Sequence, residues 1–523
     1  MGIRLMDSSV RDGGNVNNWN FGKRALKGII GNLQASGVDI IELGYLRNTD
    51  FDENRSLYNT IEEAKKNIPD TIRKEEYSLM IQEDKWDWNK LVPCDGVIRH
   101  IRVSFHKFDI NEGLELCKIV MDNGYICHCN PINIMGYSDK ELLELIELIN
   151  KVHPDVFTIV DTFGSMNIDD MKRIESLIHN NMYGNIKISA HLHENLGLAY
   201  SLAIEFISYF ENKRDIYVDA SVLGIGRVPG NLCLELIMGY LINEKKFDYQ
   251  IEYIYDAIDD FVSNIKIEHP WGYAVPYALS ATYNVHRTYA EFLVDKGKLR
   301  TKDICSILSS IEPSKKVIYN PDYIEKLYEN YLNVNIDDNH TLDILSNKLK
   351  GKNILVLAPG KSLVTAKDGI TALIREKRCV VFCVNFTAEF IDSDYYFFTN
   401  FKRISYEAGN IDKSKIIMTS NLMHEQISAG YLINCFRLKK FGDELVDDSV
   451  LCLLHLLKIV KVNNIDVAGF DGFAENDNHY DQVMDRSFDY KEHTESVKRI
   501  LQRYFKNCKI NFLTNSLYKD SCK

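Results

Sequence analysis

The sequence predicts an α/β protein: an N-terminal (β/α)8 TIM barrel with a helical appendage, followed by a smaller parallel, Rossmann-like α/β domain. Two observations carry this. Eight short β-type runs, each followed by helical material, fit within about the first 240 residues, the periodicity of a closed barrel. The same alternation then restarts at Asn353, next to a composition break. The barrel runs are Ile3–Met6, Ile40–Gly44, Tyr77–Ile81, Ile101–Ser104, Tyr125–Cys129, Phe157–Asp161, Ile186–His191 and Tyr217–Ser221. The intervening stretches Lys23–Ser36, Asn54–Lys66, Ile110–Asn123, Asp139–Val152, Ile168–Asn180 and Gly197–Phe210 have helical apolar spacing. An open doubly wound sheet shares this periodicity, and the strand count favours closure.

Residues 246–349 read as helices around an aromatic segment, His269-Pro-Trp-Gly-Tyr-Ala-Val-Pro-Tyr277, expected to complete a site or form a dimer interface. From 350 to 523 the expected strands are Ile354–Ala358, Cys379–Asn385, Tyr395–Thr399, Lys415–Thr419 and Ile465–Gly469, with a helix over Val450–Val460. The domains are therefore expected at 1–245, 246–349 and 350–523.

Of 523 residues, 45% are hydrophobic and 26% charged, values of a chain that buries real cores rather than a disordered one. The net charge of -12 argues against nucleic-acid backbones and anionic membranes as partners. Residues 351–523 hold 24 basic and 22 acidic side chains, so the negative charge belongs to the first 350. With neither a basic-then-apolar leader pattern nor about 18 uninterrupted apolar residues, the protein is expected in the cytoplasm. Its twelve cysteines include no CxxC pair and read as reduced, buried thiols.

In a barrel of this kind the chemistry sits at the carboxyl ends of the strands. Strand one runs into Asp7-Ser-Ser-Val-Arg-Asp-Gly-Gly14, and strand seven into Ser189-Ala-His-Leu-His-Glu-Asn195. Alternation puts His191 and His193 on one face, and with Asp12 from another strand they make a nitrogen and oxygen donor set for a divalent metal. After strand eight, Gly224-Ile-Gly-Arg-Val-Pro-Gly-Asn231 lets backbone approach a ligand and offers the Asn231 amide.

These three motifs, D-S-S-V-R-D-G-G, H-L-H-E-N-L-G-L-A and G-I-G-R-V-P-G-N-L-C-L-E, resemble the DRE-TIM metallolyase superfamily over about residues 1–290. That group includes hydroxymethylglutaryl-CoA lyase, isopropylmalate and homocitrate synthases, pyruvate carboxyltransferase domains and 4-hydroxy-2-oxovalerate aldolase. The resemblance implies Mg2+ or Mn2+ held by Asp12, His191 and His193, with Asn231 as a further ligand, and Arg11 stabilising an enolate oxygen. An enolate near neutral pH needs fixed positive charge at its oxygen, which a metal and a guanidinium supply.

Departures narrow the choice. The loop over 222–230 lacks the lyases' cysteine, Tyr125–Met135 lacks the carboxyltransferases' lysine, and Gly226-Arg227 replaces the synthases' G-E-R. The aldolase group remains, although Asn15 stands where its histidine base belongs. Replacement bases are His286, Tyr283, Tyr277 and His106; Glu42, Asp161, Thr162 and Asn195 are expected at the substrate. The expected reaction is cleavage or formation of a carbon–carbon bond between a small anionic 2-oxo acid and an aldehyde. The alternatives are an acyl-CoA-condensing synthase, a fusion with a glycosyltransferase-like domain in sugar metabolism, and a catalytically dead scaffold.

In the C-terminal domain, Ala358-Pro-Gly-Lys-Ser362 fails the full phosphate-loop pattern because Leu355 occupies the first glycine position. Gly360, Lys361, Ser362 and Asp471 remain candidate phosphate or nucleotide contacts. The region resembles bacterial sialyltransferase-like nucleotide-sugar domains, with His479 and His493 as further candidates. The protein is expected to be a homodimer through the aromatic appendage.

Overall fold

The computed structural model describes residues 2–69, 76–82, 84–297, 299–332, 334–423, 427–442, 444–462, 464–472 and 490–522. His479 lies outside them. The chain divides into two compact units, Met1–Ala290 with Pro313–Ile318, and Glu291–Glu312 with Tyr319–Lys523.

The first unit is a closed parallel barrel. Its strands are β1 (Ile3–Asp7), β2 (Ile40–Leu46), β3 (Glu76–Gln82), β4 (Ile98–Phe105), β5 (Ile126–Pro131), β6 (Val156–Asp161), β7 (Lys187–Leu192) and β8 (Ile216–Ala220). Each pairs with the next in parallel, and β1 closes the ring by pairing with both β2 and β8. All eight expected strands are present. The near-continuous burial of β5, β6 and β8 follows from being covered by helices outside and side chains within.

The outer helices begin where the sequence places their caps. Ser138 and Glu141 form a reciprocal capping box before Asp139–Val152, as do Asn167 and Asp170 before Ile168–Asn181. One expectation needs correction. The stretch Asn54–Lys66 is not one helix: Leu57–Tyr58 adds a short parallel segment to β2, and only Ile61–Lys65 is helical, capped by Thr60 and Glu63. The segment is diverted because the Ser56 hydroxyl donates to the Val10 carbonyl at 2.6 Å, tying it to the loop after β1.

The second unit holds a seven-stranded parallel sheet: β9 (Ile354–Leu357), β10 (Val380–Val384), β11 (Tyr395–Phe398), β12 (Ile416–Thr419), β13 (Tyr431–Ile433), β14 (Asn464–Ala468) and β15 (Lys509–Phe512), in the order β13-β12-β11-β10-β9-β14-β15. The order reverses at β9, the switch point at which such sheets open a crevice beyond their carboxyl ends. β13 and β15 were absent from the sequence reading. The first is three residues long, and the second is an edge strand whose exposed and buried residues alternate, so neither shows the apolar run of a central strand. The helix Ser449–Ile459 is apolar almost all round and fills the core against the sheet. No helix among the described residues is long and apolar enough to cross a membrane.

Candidate metal and substrate site

The loop after β1 is built by its own short side chains. Burial pushes the Asp7 carboxyl up to about 7, against the Ser9 amide and hydroxyl that donate to it at 3.0 and 2.6 Å. The one-turn helix Ser9–Asp12 follows and points Arg11 and Asp12 into the barrel mouth. Trp19 locks the turn: its Nε1 donates to the Arg11 carbonyl at 2.7 Å, and its ring lies where a Cβ on Gly14 would stand. The loop after β8 is tied to the same place, with Ser9 Oγ accepting from the Val222 amide at 2.8 Å. Backbone bridging of His193 with Asn231 fastens that loop to the end of β7.

Asp12, His191 and His193 come together, all buried, with one ligand atom of each within 4.8 Å of the others. Asp12 Oδ2 lies 3.9 Å from His191 Nε2 and 3.8 Å from His193 Nε2. Donors about 3–4 Å apart suit a cation with ligand bonds of about 2.1 Å. The far nitrogens are committed: His193 Nδ1 donates to the Asp161 carbonyl at 2.9 Å, and His191 Nδ1 meets Asp219 Oδ2 at 3.2 Å. Both rings therefore carry their proton on Nδ1 and turn the Nε2 lone pair toward Asp12, the arrangement of histidine ligands in metal sites. Burial holds the His193 imidazole down at about 3, keeping it neutral. Burial alone would raise the Asp12 carboxyl, but the Arg11 guanidinium, helped by the Asn231 amide, holds it well below the usual carboxylate range.

Asn231 donates from Nδ2 to Asp12 Oδ2 at 2.8 Å, and its Oδ1 is buried with no hydrogen-bond partner among the described residues. A Cβ on Gly226 would collide with that amide, which explains the glycine. The donor set thus fits a divalent cation: one anionic oxygen, two oriented imidazole nitrogens and a nearby orphaned amide oxygen.

Behind the triad runs a buried chain of alternating charge. Arg11 Nη1 donates to Asp12 Oδ1 and Arg11 Nε to Glu42 Oε2, both at 2.6 Å. Arg102 Nη1 donates to the same Glu42 oxygen at 3.0 Å, and Arg102 Nη2 pairs with Asp219, which returns to His191. Arg102 and Asp219 were missed from sequence; the available signal was Asp219 as the one charge of the apolar strand β8, whereas β4 carries Arg102 among other polar residues. Arg11 Nη2 is buried without a partner among the described residues. A cavity of about 230 Å³ opens over these groups, lined by Arg11, Asp12, His191 and His193 and reaching Thr162 and His106.

Residues 2–259 match the HMGL-like family model. Over 278 residues the chain is 27% identical to a 4-hydroxy-2-oxovalerate aldolase of Geobacillus genomosp. 3, across 49% of this chain and 78% of that protein. It is 25% identical to a 2-isopropylmalate synthase of Bacillus velezensis, across 45% of this chain and 46% of that protein. Among solved structures it is similar to an HMG-CoA lyase from Brucella melitensis, at 13% identity and a TM-score of 0.40, covering 49% of this chain and 96% of that one.

The other expected site residues of the barrel separate by place. Thr162 lines the cavity, and its hydroxyl accepts from the Asn133 amide at 2.7 Å. Glu42 lies beneath the cavity as the bridge between two arginines. The Asp161 carboxylate accepts the Ser165 and Met166 amides at 2.9 and 3.2 Å, shaping its own loop, and burial pushes it up to about 7. Asn195 donates to the Tyr277 carbonyl at 3.3 Å. His286 packs edge-on to Phe163 and accepts the Thr288 amide at 3.3 Å, while the Tyr283 carbonyl accepts from Lys316; neither residue lines the cavity. His106 does line it, with Nδ1 buried and unpartnered among the described residues.

In the second unit the anion held at the Pro-Gly-Lys-Ser turn is the protein's own. Asp471 accepts the Ser362 amide at 2.8 Å and the Ser362 hydroxyl, and Gly360 packs where a Cβ would strike Asp471. His493 Nε2 meets Asp448 Oδ2 at 3.2 Å.

Proposed function

We propose that the protein is a divalent-metal-dependent aldolase, a carbon–carbon lyase working through the enolate of a 2-oxo acid. The observation that carries the reading is that buried Arg11 lines the same cavity as the Asp12–His191–His193 donor set, with its Nη2 unpartnered among the described residues. A cation such as Mn2+ or Mg2+ bound there supplies positive charge for the carbonyl and carboxylate oxygens of the 2-oxo acid.

The chain's own residues do the rest. Glu42 and Asp12 fix the Arg11 guanidinium, so Nη2 meets the charge that develops on the carbonyl oxygen without reorganising. Burial lowers the His106 imidazole, which is neutral near pH 7 and able to take a proton. In cleavage, His106 accepts the proton of the 4-hydroxyl, that carbon–oxygen bond becomes the aldehyde carbonyl, and the C3–C4 bond breaks. The electron pair passes to the enolate, whose oxygen Arg11 stabilises, and protonation at C3 completes the 2-oxo acid. Condensation runs the same path backwards.

The test is a metal-supplemented assay for pyruvate release from 4-hydroxy-2-oxo acids. Activity should vanish on chelation and in His191→Ala, and activity that survives either change contradicts the reading. The similarity to a 2-isopropylmalate synthase supports one alternative, condensation with an acyl-CoA donor; thiol release from acetyl-CoA with a panel of 2-oxo acids would favour it.

A further inference from the structure

The cavity extends from the metal-binding triad toward the ends of β2, β3 and β4, and its charge balance is lopsided. Its described lining holds four arginines, Arg11, Arg47, Arg102 and Arg227, against a single carboxylate, Asp12. Arg11 and Arg102 are already matched by Asp12, Glu42 and Asp219. Arg47 is not. It follows β2 directly, has no carboxylate partner among the described residues, and its side chain reaches only the Gln82 amide oxygen, at 3.5 Å. Its guanidinium carbon lies 4.6 Å from the Tyr45 ring centroid, and that of Arg11 lies 5.7 Å from the same centroid. One aromatic ring thus holds a paired guanidinium beside the reacting end and an unpaired one further along. From Gln82 the polar lining continues across the strands through Ser104, its register partner, to Asn130.

A 2-oxo acid brings one carboxylate, which a cation held by Asp12, His191 and His193 would neutralise, leaving Arg11 for the carbonyl oxygen. A second cation left without a counter-charge in the same small cavity calls for a second anion. Resting on the aldolase reading above, we infer that this extension is an oxyanion subsite: the aldehyde partner carries a phosphate or carboxylate at the end remote from its carbonyl, held by Arg47. Gln82, Ser104 and Asn130 offer hydrogen bonds to hydroxyls between the two ends, so the acceptor is a short, polar, anionic aldehyde.

The experiment compares matched aldehydes with pyruvate and Mn2+ on the full chain: glyceraldehyde against glyceraldehyde 3-phosphate, and butanal against 4-oxobutanoate. The phosphate and carboxylate pairs separate the two sources of the anion. At least one anionic aldehyde should exceed its neutral counterpart in kcat/KM on the order of tenfold or more, the size of one charge-assisted hydrogen bond. Arg47→Gln should erase that preference mainly through KM, and Arg47→Lys should restore part of it. Equal or better use of the neutral aldehydes, no turnover of either anionic one, or a preference that survives Arg47→Gln would overturn the inference. Deuterium exchange into the pyruvate methyl by the wild-type protein, without aldehyde, distinguishes the two failures. Its absence sinks the enolate reading, and its presence without an anionic preference sinks only the subsite.

Discussion

At the scale of single residues, the site depends on which nitrogen of each histidine holds the proton. Asp219 sets this for His191 while also pairing with Arg102, so one carboxylate orients a ligand and neutralises a buried cation. Asp219→Asn should weaken Mn2+ binding by about 10–100-fold, as loss of a partner behind a histidine ligand does. Calorimetric titration of the full chain measures this, and an unchanged affinity would deny Asp219 its role. Arg102, left without that charge, should also cost about 3–5 kcal/mol of stability. The residues legible in the sequence were those whose spacing encodes geometry: His191 and His193 alternate onto one face, and Asp12 lies in the turn that follows the first strand. Glu42 was visible as a charge within an apolar strand, but its task of bridging Arg11 and Arg102 was not. That task depends on which strand lies across the barrel, and one strand's pattern carries no such information.

At the scale of elements, the loop after β8 is held from outside by the aromatic segment. Trp271 is buried, and its Nε1 donates to the Leu223 carbonyl at 2.9 Å, inside the turn that leads to Asn231. The Trp271 ring is turned inward and serves the packing of this loop. Trp271→Ala should destabilise the barrel by about 3–5 kcal/mol, seen as a lower Tm and a weaker metal affinity together; unchanged stability would contradict this packing role. The helix Ile168–Asn181 carries a second prediction. Glu175 is buried with neither oxygen partnered among the described residues, and burial, aided by Glu205, pushes its carboxyl up to about 8 from 4.5. The folded state therefore holds a proton that the unfolded state releases, so stability falls as pH rises from about 4.5 through about 8. Glu175→Gln should remove that slope and raise Tm at pH 8.5 relative to the wild type; a parallel pH profile would refute it. The barrel strands could be read from sequence because most are short apolar runs set off by amphipathic helices, although among the described residues only a 3-10 turn over Trp88–Lys90 lies between β3 and β4. Asn54–Lys66 misled because helical spacing cannot register the Ser56 to Val10 hydrogen bond that pins it.

At the scale of the whole chain, the negative charge resides in the first 350 residues, yet the cavity inside that region is lined by arginines. Net charge argues against polyanionic partners, while the arginines at the strand ends suit a small anion. The second unit was legible as a parallel sheet from its apolar runs, and its phosphate-loop likeness was not a guide to what the turn holds. There Asp471, distant in sequence, takes the amide that an external anion would need.

The central claim is that Asp12, His191 and His193 hold a cation which, with Arg11, stabilises a 2-oxo acid enolate. Proton NMR of pyruvate in deuterated buffer measures this directly, without any aldehyde. Methyl exchange should require added Mn2+ or Mg2+, stop on chelation, and fall by about 100-fold or more in Arg11→Ala, the scale of losing a preorganised donor to a developing oxyanion. Exchange that proceeds in chelator, or at the wild-type rate in both Arg11→Ala and His191→Ala, would contradict the account.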